Sequence, residues 1–269
     1  MQAAARPLRT LACLAALAVL AGCASGPRYP IDTSHTAVSQ NSRVRFVVLH
    51  YTTASTERSL SILTQGRVSS HYLVTDDAPA RILQLVDENR SAWHAGDSAW
   101  QGRTWLNNSS IGIEIVNPGW ERDAAGVLHW RTPYSPSQIE ALTELLRGIV
   151  RRHGIAPGNI VAHSDIAPGR KLDPGPLFPW RALAQAGLGR WYDEAAAAER
   201  QARYQREGVP DVAWFQAQLA RVGYAPSRHG QADEDTLRAL KAFQLHYRPS
   251  DFNGAFDAES AAILESLPD

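Results

Sequence analysis

Cysteine is nearly absent: among 269 residues only Cys13 and Cys23 carry thiols, so the rest of the chain can build no disulfide framework. An excess of charge of one sign is missing too. Lys and Arg together number 27, as do Asp and Glu, and no stretch concentrates basic side chains. A surface that tracks phosphates needs such a stretch, which excludes nucleic acid as a partner. Spanning a bilayer takes roughly 20 apolar residues, and the run from Leu11 to Leu20 falls short of that. No His-Glu-x-x-His helix is present, so a common zinc-protease signature is lacking. Lysine is scarce in a chain that otherwise uses Arg, with Lys171 and Lys241 the only two. What remains is an ordinary globular composition, at a length that suits one domain of about 150 residues and a smaller one.

The first residues read as a secretion signal. Arg6 and Arg9 form a basic start, and the apolar run ends in small residues. Leu20-Ala21-Gly22-Cys23 resembles the lipobox of bacterial lipoproteins, in which the Cys becomes the lipidated first residue. The expectation is a signal peptide over 1–22, an acylated Cys23 and a flexible tether over 23–40. Acyl chains contribute roughly 0.8 kcal/mol per buried methylene, which gives firm membrane anchoring. By resemblance to lipoproteins without Asp after that Cys, Ala24 points to the outer membrane, facing the periplasm.

Beyond the tether, Val44 to Leu49 is an apolar, β-branched run that reads as a buried strand ending at His50; Arg81 to Val86 and Ile111 to Val116 read as further strands. Ser135-Pro136-Ser137-Gln138 is a helix start with Ser as cap, Pro at the first helical position and Gln three residues after the cap. Ile139, Leu142, Leu145, Leu146, Ile149 and Val150 then recur at helical spacing until Gly154. An α/β domain over 41–190 follows, a mixed central sheet flanked by helices. The Ala-, Glu- and Arg-rich stretch over 191–208 reads as a charged helical linker. Residues 209–269 repeat Gly-x-x-Asp-x-x-Thr/Ser, at Gly230 and again at Gly254, each Asp placed to cap a helix. A small all-α, three-helix domain is the expectation there.

His50 closes one strand, and His163 closes another before the Pro/Gly-rich loop from Ser164 to Pro176. A lone His at a strand end is ordinarily structural. With Asp173 across the rigid loop, however, the two would form a His2Asp set that leaves a fourth zinc position open to water. Glu114 interrupts an otherwise apolar strand; alternation leaves open whether it faces solvent or the site. Beside a metal and partly desolvated, it would have the raised pKa of a general base. Lys171 is a compact charge suited to an oxyanion, or else a surface Lys beside Arg170.

Leu49-His50-Tyr51-Thr52, Ser70-His71-Tyr72, Ala92-Trp93-His94-Ala95-Gly96, Ser110-Ile111-Gly112-Ile113-Glu114 and the long stretch from His163 to Pro176 resemble the type 2 N-acetylmuramoyl-L-alanine amidases in order and content, over about 41–182. The resemblance implies that His50, His163 and Asp173 bind one zinc ion and that Glu114 and Lys171 act in catalysis. Its one departure is Ala162, where Gly is usual before the second zinc His. Gly223-Tyr224, Asp233-x-x-Thr236 and Phe243-Gln244 resemble the three-helix peptidoglycan-binding domain, while Arg248 to Asn253 departs from its commoner Gly-Leu form.

The implied reaction is hydrolysis of the amide between the muramic acid lactyl group and L-alanine, in peptidoglycan or its muropeptide fragments. Trp93, His94 and Arg170 are candidate substrate contacts, and Trp100 and Trp105 are candidates to offer flat faces to sugar or peptide. Two rivals stand beside this reading. One is a non-catalytic peptidoglycan recognition protein on the same fold, the other a zinc peptidase.

Overall fold

The structure is a computed structural model that describes Tyr29 and residues 31–268. The expected signal peptide and Cys23 lie outside the described residues. Residues 31–41 are exposed and form neither helix nor strand. Ser42–Asp269 is one compact unit.

Strands are β1 (Phe46–Tyr51), β2 (Tyr72–Val74), β3 (Ile82–Gln84), β4 (Ala99–Trp100), β5 (Arg103–Thr104), β6 (Ser110–Ile115), β7 (Trp120–Arg122), β8 (Leu128–Trp130) and β9 (Ile160–Ala162). Helices are α1 (Thr56–Gln65), α2 (Pro136–His153), α3 (His163–Ile166), α4 (Trp180–Gln185), α5 (Glu194–Glu207), α6 (Val212–Val222), α7 (Glu234–Tyr247) and α8 (Ala258–Ser266). The main sheet runs β3-β2-β6-β1-β9, with β3 antiparallel and the other pairings parallel. This is the mixed sheet the sequence pattern predicts. The three-residue β2 is not legible in sequence because it is too short to show a period, and α1, capped by Ser55, is short, with Leu60, Ile62 and Leu63 its apolar residues.

Side-chain alternation splits β1 between two cores. Val47 and Leu49 point to one face with Ile111, Ile113 and Ile115, where the Leu142-Leu146-Ile149 stripe of α2 covers them. Helix α2 begins with the predicted capping box between Ser135 and Gln138 and ends at Gly154 in the left-handed conformation. Phe46 and Val48 point to the other face, into a core with Val161, Trp100, Phe215, Leu219 and Phe243. The C-terminal helices therefore complete the hydrophobic core on the face of the sheet that carries His50.

The sequence repeat is a structural device used twice. Asp233 and Asp257 cap α7 and α8 through the amides of Thr236 and Ser260. Gln216 accepts from the Gly230 amide and donates to the Thr236 hydroxyl; Gln244 does the same with Gly254 and Ser260. Buried Gln side chains thus satisfy the turn's amide and lock it to the following helix. The stretch read as a linker forms α5, which lies along α8 through Arg203 and Tyr204, both bonded to Glu265.

Glu88 pins the loop after β3. It accepts from Arg152 (2.9 and 2.5 Å), His153 (2.8 Å) and the Tyr72 hydroxyl (2.7 Å). Burial would raise its pKa, but Arg152, His153 and Tyr72 outweigh it and bring it down to about 2. A carboxyl with a depressed folded-state pKa stabilises above its unfolded value of about 4.3, and that contribution is lost as pH falls toward the folded value. Glu88→Gln should therefore lower stability by about 1 kcal/mol at pH 7, after allowance for solvent screening. Urea midpoints measured across pH should show the difference shrinking from about pH 4.3 down to about 2.

Candidate active site

Parallel pairing places His50 of β1 in register with Glu114 of β6, so both side chains leave the same face at the carboxyl ends of adjacent strands. His163 follows directly on β9, the other neighbour of β1. Asp173 returns from the loop after α3, where its carbonyl accepts from the Ser164 amide at 3.0 Å. Ala162, where Gly is usual, has an ordinary extended backbone (φ −78°, ψ 154°), so the departure leaves the local chain path unstrained.

The three side chains converge. His50 Nδ1 lies 2.8 Å from His163 Nδ1 and 2.9 Å from Asp173 Oδ2, and His163 Nδ1 lies 3.0 Å from that same oxygen. All three residues are buried. Two imidazole nitrogens and one carboxylate oxygen aimed at a common point are the donor set that a tetrahedral zinc takes with one position left open. His163 Nε2 is 3.1 Å from the Ala95 carbonyl, which can only accept. Nε2 therefore carries the proton, and Nδ1 presents a lone pair to the common point. Burial, followed by the neighbouring His163, lowers the His50 pKa to about 4, which keeps it neutral as a ligand must be. For Asp173, burial opposes ionisation, yet the imidazoles of His163 and His50 hold its carboxyl below the usual range. The cluster fits one zinc ion.

Beside it, Glu114 is partly buried, and its Oε2 is sealed from solvent with no hydrogen-bond partner among the described residues. Burial, and then the Asp173 carboxylate, push its pKa well above the usual value, against the pull of Lys171. A cleft of about 420 Å³ is lined by His50, His94, Glu114, His163, Arg170, Lys171 and Asp173, together with Tyr51, Trp120 and Leu172.

The remaining candidates are placed as follows. His94 is buried, its ring bonded to His50 and Ser110. Arg170 is exposed at the cleft and donates to the carbonyls of Ala95 and Asp97. Trp93 is 65% exposed and does not line the cleft. Trp100 corrects the sequence-based expectation: at 1% exposure, edge-on to Tyr224 in the core, it can offer no face to a sugar. Trp105 is 61% exposed and away from the cleft lining. Sequence reasoning missed Asn107, Ser110 and Asp165. The first two sit in Asn107-Asn108-Ser109-Ser110, which signals only a turn, and nothing in the sequence marks Asp165 as a buried hub.

A buried His2Asp centre open to a cleft, with an unpaired carboxylate alongside, defines a metal-dependent hydrolase. The chain belongs to the N-acetylmuramoyl-L-alanine amidase family, whose model matches residues 40–176. Residues 208–264 match a second family, described as "Putative peptidoglycan binding domain". N-acetylmuramoyl-L-alanine amidase AmiD of Escherichia coli K12 is 45% identical, over 94% of this chain and 95% of its own length. Among solved structures, AmpDh3 from Pseudomonas aeruginosa superposes with a TM-score of 0.81 at 42% identity, covering 89% of this chain and 97% of that one. AmiD from E. coli, in complex with anhydro-N-acetylmuramic acid-L-Ala-D-gamma-Glu-L-Lys, gives 0.79 at 44% identity, covering 89% and 94%.

Proposed function

We propose that this amidase hydrolyses the bond between the muramic acid lactyl group and L-alanine in peptidoglycan or its muropeptides, with zinc held by His50, His163 and Asp173. The observation that carries the reading is the convergence of those three donors beside the unpartnered carboxylate of Glu114. Zinc held by these residues would supply Lewis-acid polarisation and would lower the pKa of the attacking water to roughly 7. Glu114 takes the proton from the attacking water and returns it to the departing L-alanine amine. Lys171 lends its ammonium to the tetrahedral oxyanion, where removal of one such donor costs roughly a hundredfold or more in rate. Arg170, at the cleft, is the candidate contact for the muropeptide; Trp93 lies outside the cleft lining. His94 sits beneath His50 and acts through it.

In this reading residues 41–190 are catalytic, 191–208 are the connecting helix and 209–269 are the peptidoglycan-binding-like domain. Cys23, acylated after removal of 1–22, anchors the enzyme by the 23–40 tether to the outer membrane, facing the periplasm. The lipobox-like Leu20-Ala21-Gly22-Cys23 supports that placement.

The test is mass spectrometry of muropeptides digested by the chain from residue 28 onward, with chelator and with zinc added back. Release of intact stem peptides beginning at L-alanine is expected, abolished by chelator and restored by zinc. A cut within the stem peptide would make the protein a peptidase. Sacculus binding with no release at all would make it a recognition protein.

A further inference from the structure

We propose that Ser110 and His94 are positioning residues: a hydrogen-bond relay running from the Leu106 carbonyl through Ser110 and His94 fixes the tautomer of His50, so that it presents a lone pair at Nδ1. The proposal rests on the reading of His50 as a zinc ligand.

The direction of the relay is set at its far end. Ser110 Oγ lies 2.6 Å from the Leu106 carbonyl oxygen. Two oxygens that close need a proton between them, and a carbonyl has none to give. The hydroxyl's single proton therefore points at Leu106. Oγ, 3.1 Å from His94 Nε2, is left to accept, and Nε2 must carry a proton. The ring's hydrogen bonds go to Ser110 and to His50. A second proton on it would be a buried charge with no anion bonded to it. Nδ1 of His94 is therefore a lone pair, and it lies 3.0 Å from His50 Nε2. Nε2 of His50 donates, and Nδ1 of His50 is left bare, facing His163 and Asp173.

Two further features hold the relay in place. The His94 ring packs against β6 at Gly112, where a Cβ would run into its Cγ; any other residue would push the ring away. Asn107 Oδ1 accepts from the backbone amides of both His94 (3.1 Å) and Ala95 (2.8 Å). The His94-Ala95 pair thus sets both histidine ligands, His50 through a side chain and His163 through the Ala95 carbonyl. Along β6, Ser110, Gly112 and Glu114 share one face as anchor, seat and unpaired carboxylate.

The experiment uses the full chain, zinc competition against a chromophoric chelator, and two-bond proton–nitrogen spectra of the histidine rings. Metal-free wild type should show His94 and His50 both protonated at Nε2, and wild type should bind one zinc. Ser110→Ala, which removes the anchor, should bind zinc about 10- to 100-fold more weakly, in the range of lost outer-shell partners, and should show Nδ1-protonated rings. Ser110→Thr, which keeps the hydroxyl, should stay near wild type. A wild-type spectrum with the His94 proton on Nδ1 would overturn the relay even if the variant failed to fold. So would Ser110→Ala with unchanged zinc affinity and His50 still protonated at Nε2. Failure of wild type to bind zinc at all would instead sink the underlying assignment of His50.

Discussion

Glu114→Gln should lose turnover by about a hundredfold to ten-thousandfold, the usual worth of a positioned general base, while still binding one zinc ion. The separation follows from geometry. His50, His163 and Asp173 meet one another within hydrogen-bonding distance, whereas Glu114 Oε2 meets no partner and stands outside that triangle. The same substitution makes a stability prediction of definite sign. Burial, then Asp173, raise the Glu114 pKa well above its usual value, with Lys171 opposing. As pH rises past about 4.3 the unfolded chain ionises this carboxyl before the folded one does, so stability is lost with rising pH through the folded value. Glutamine has no such penalty. Metal-free Glu114→Gln should melt at or above the wild-type temperature at pH 7 and match it near pH 4. For wild type, kcat/KM should fall on the acid side as Glu114 takes up its proton. Full activity of Glu114→Gln would remove this residue from the reaction.

Much of this site is legible in sequence because strand ends and rigid loops fix side chains locally. His50 and His163 each close an apolar strand, and the Pro/Gly-rich loop can bring Asp173 back to them. The face of Glu114 is not legible from alternation alone, since a strand pattern does not say which side is wet. Register with His50 decides it. Helix α2 reads to its last turn because its cap, its stripe and its stop are all local signals. Trp100, by contrast, looks like a surface aromatic among polar neighbours, and its burial depends on Tyr224, more than a hundred positions further on. His94 is ambiguous for the same reason: it lies in a loop, and its partners, His50 and Ser110, come from β1 and β6. A composition shift near residue 193 marks a change of element, but it cannot reveal that Phe46 and Val48 share a core with Phe215 and Phe243. Local chemistry is written in order along the chain, and packing between distant segments is not.

That shared core meets the site at Asp165, and its replacement should be the most destabilising single change among the polar residues around the centre. Asp165 is 1% exposed. Its Oδ2 accepts from the Ala162 amide (2.8 Å) and from His246 Nδ1 (2.7 Å), and its Oδ1 accepts from the Tyr224 hydroxyl (2.6 Å). Burial, and then Asp165 itself, keep the Tyr224 pKa well above its usual value, so that hydroxyl remains a donor. The His246 ring is stacked on Trp180, with centroids 3.9 Å apart, and cannot swing away to find water. Asp165→Ala would leave three buried donors without an acceptor, each costing about 1–3 kcal/mol. A loss of at least about 3 kcal/mol is the expected result, read from urea unfolding. Because Ala162 immediately precedes His163, freeing its amide should also loosen one zinc ligand, so zinc affinity should fall together with stability. Asp165→Asn keeps one acceptor oxygen and should fall between the variant and wild type on both measures. If Asp165→Ala unfolds within about 1 kcal/mol of wild type, this carboxylate does not link the C-terminal helices to the metal-binding loop.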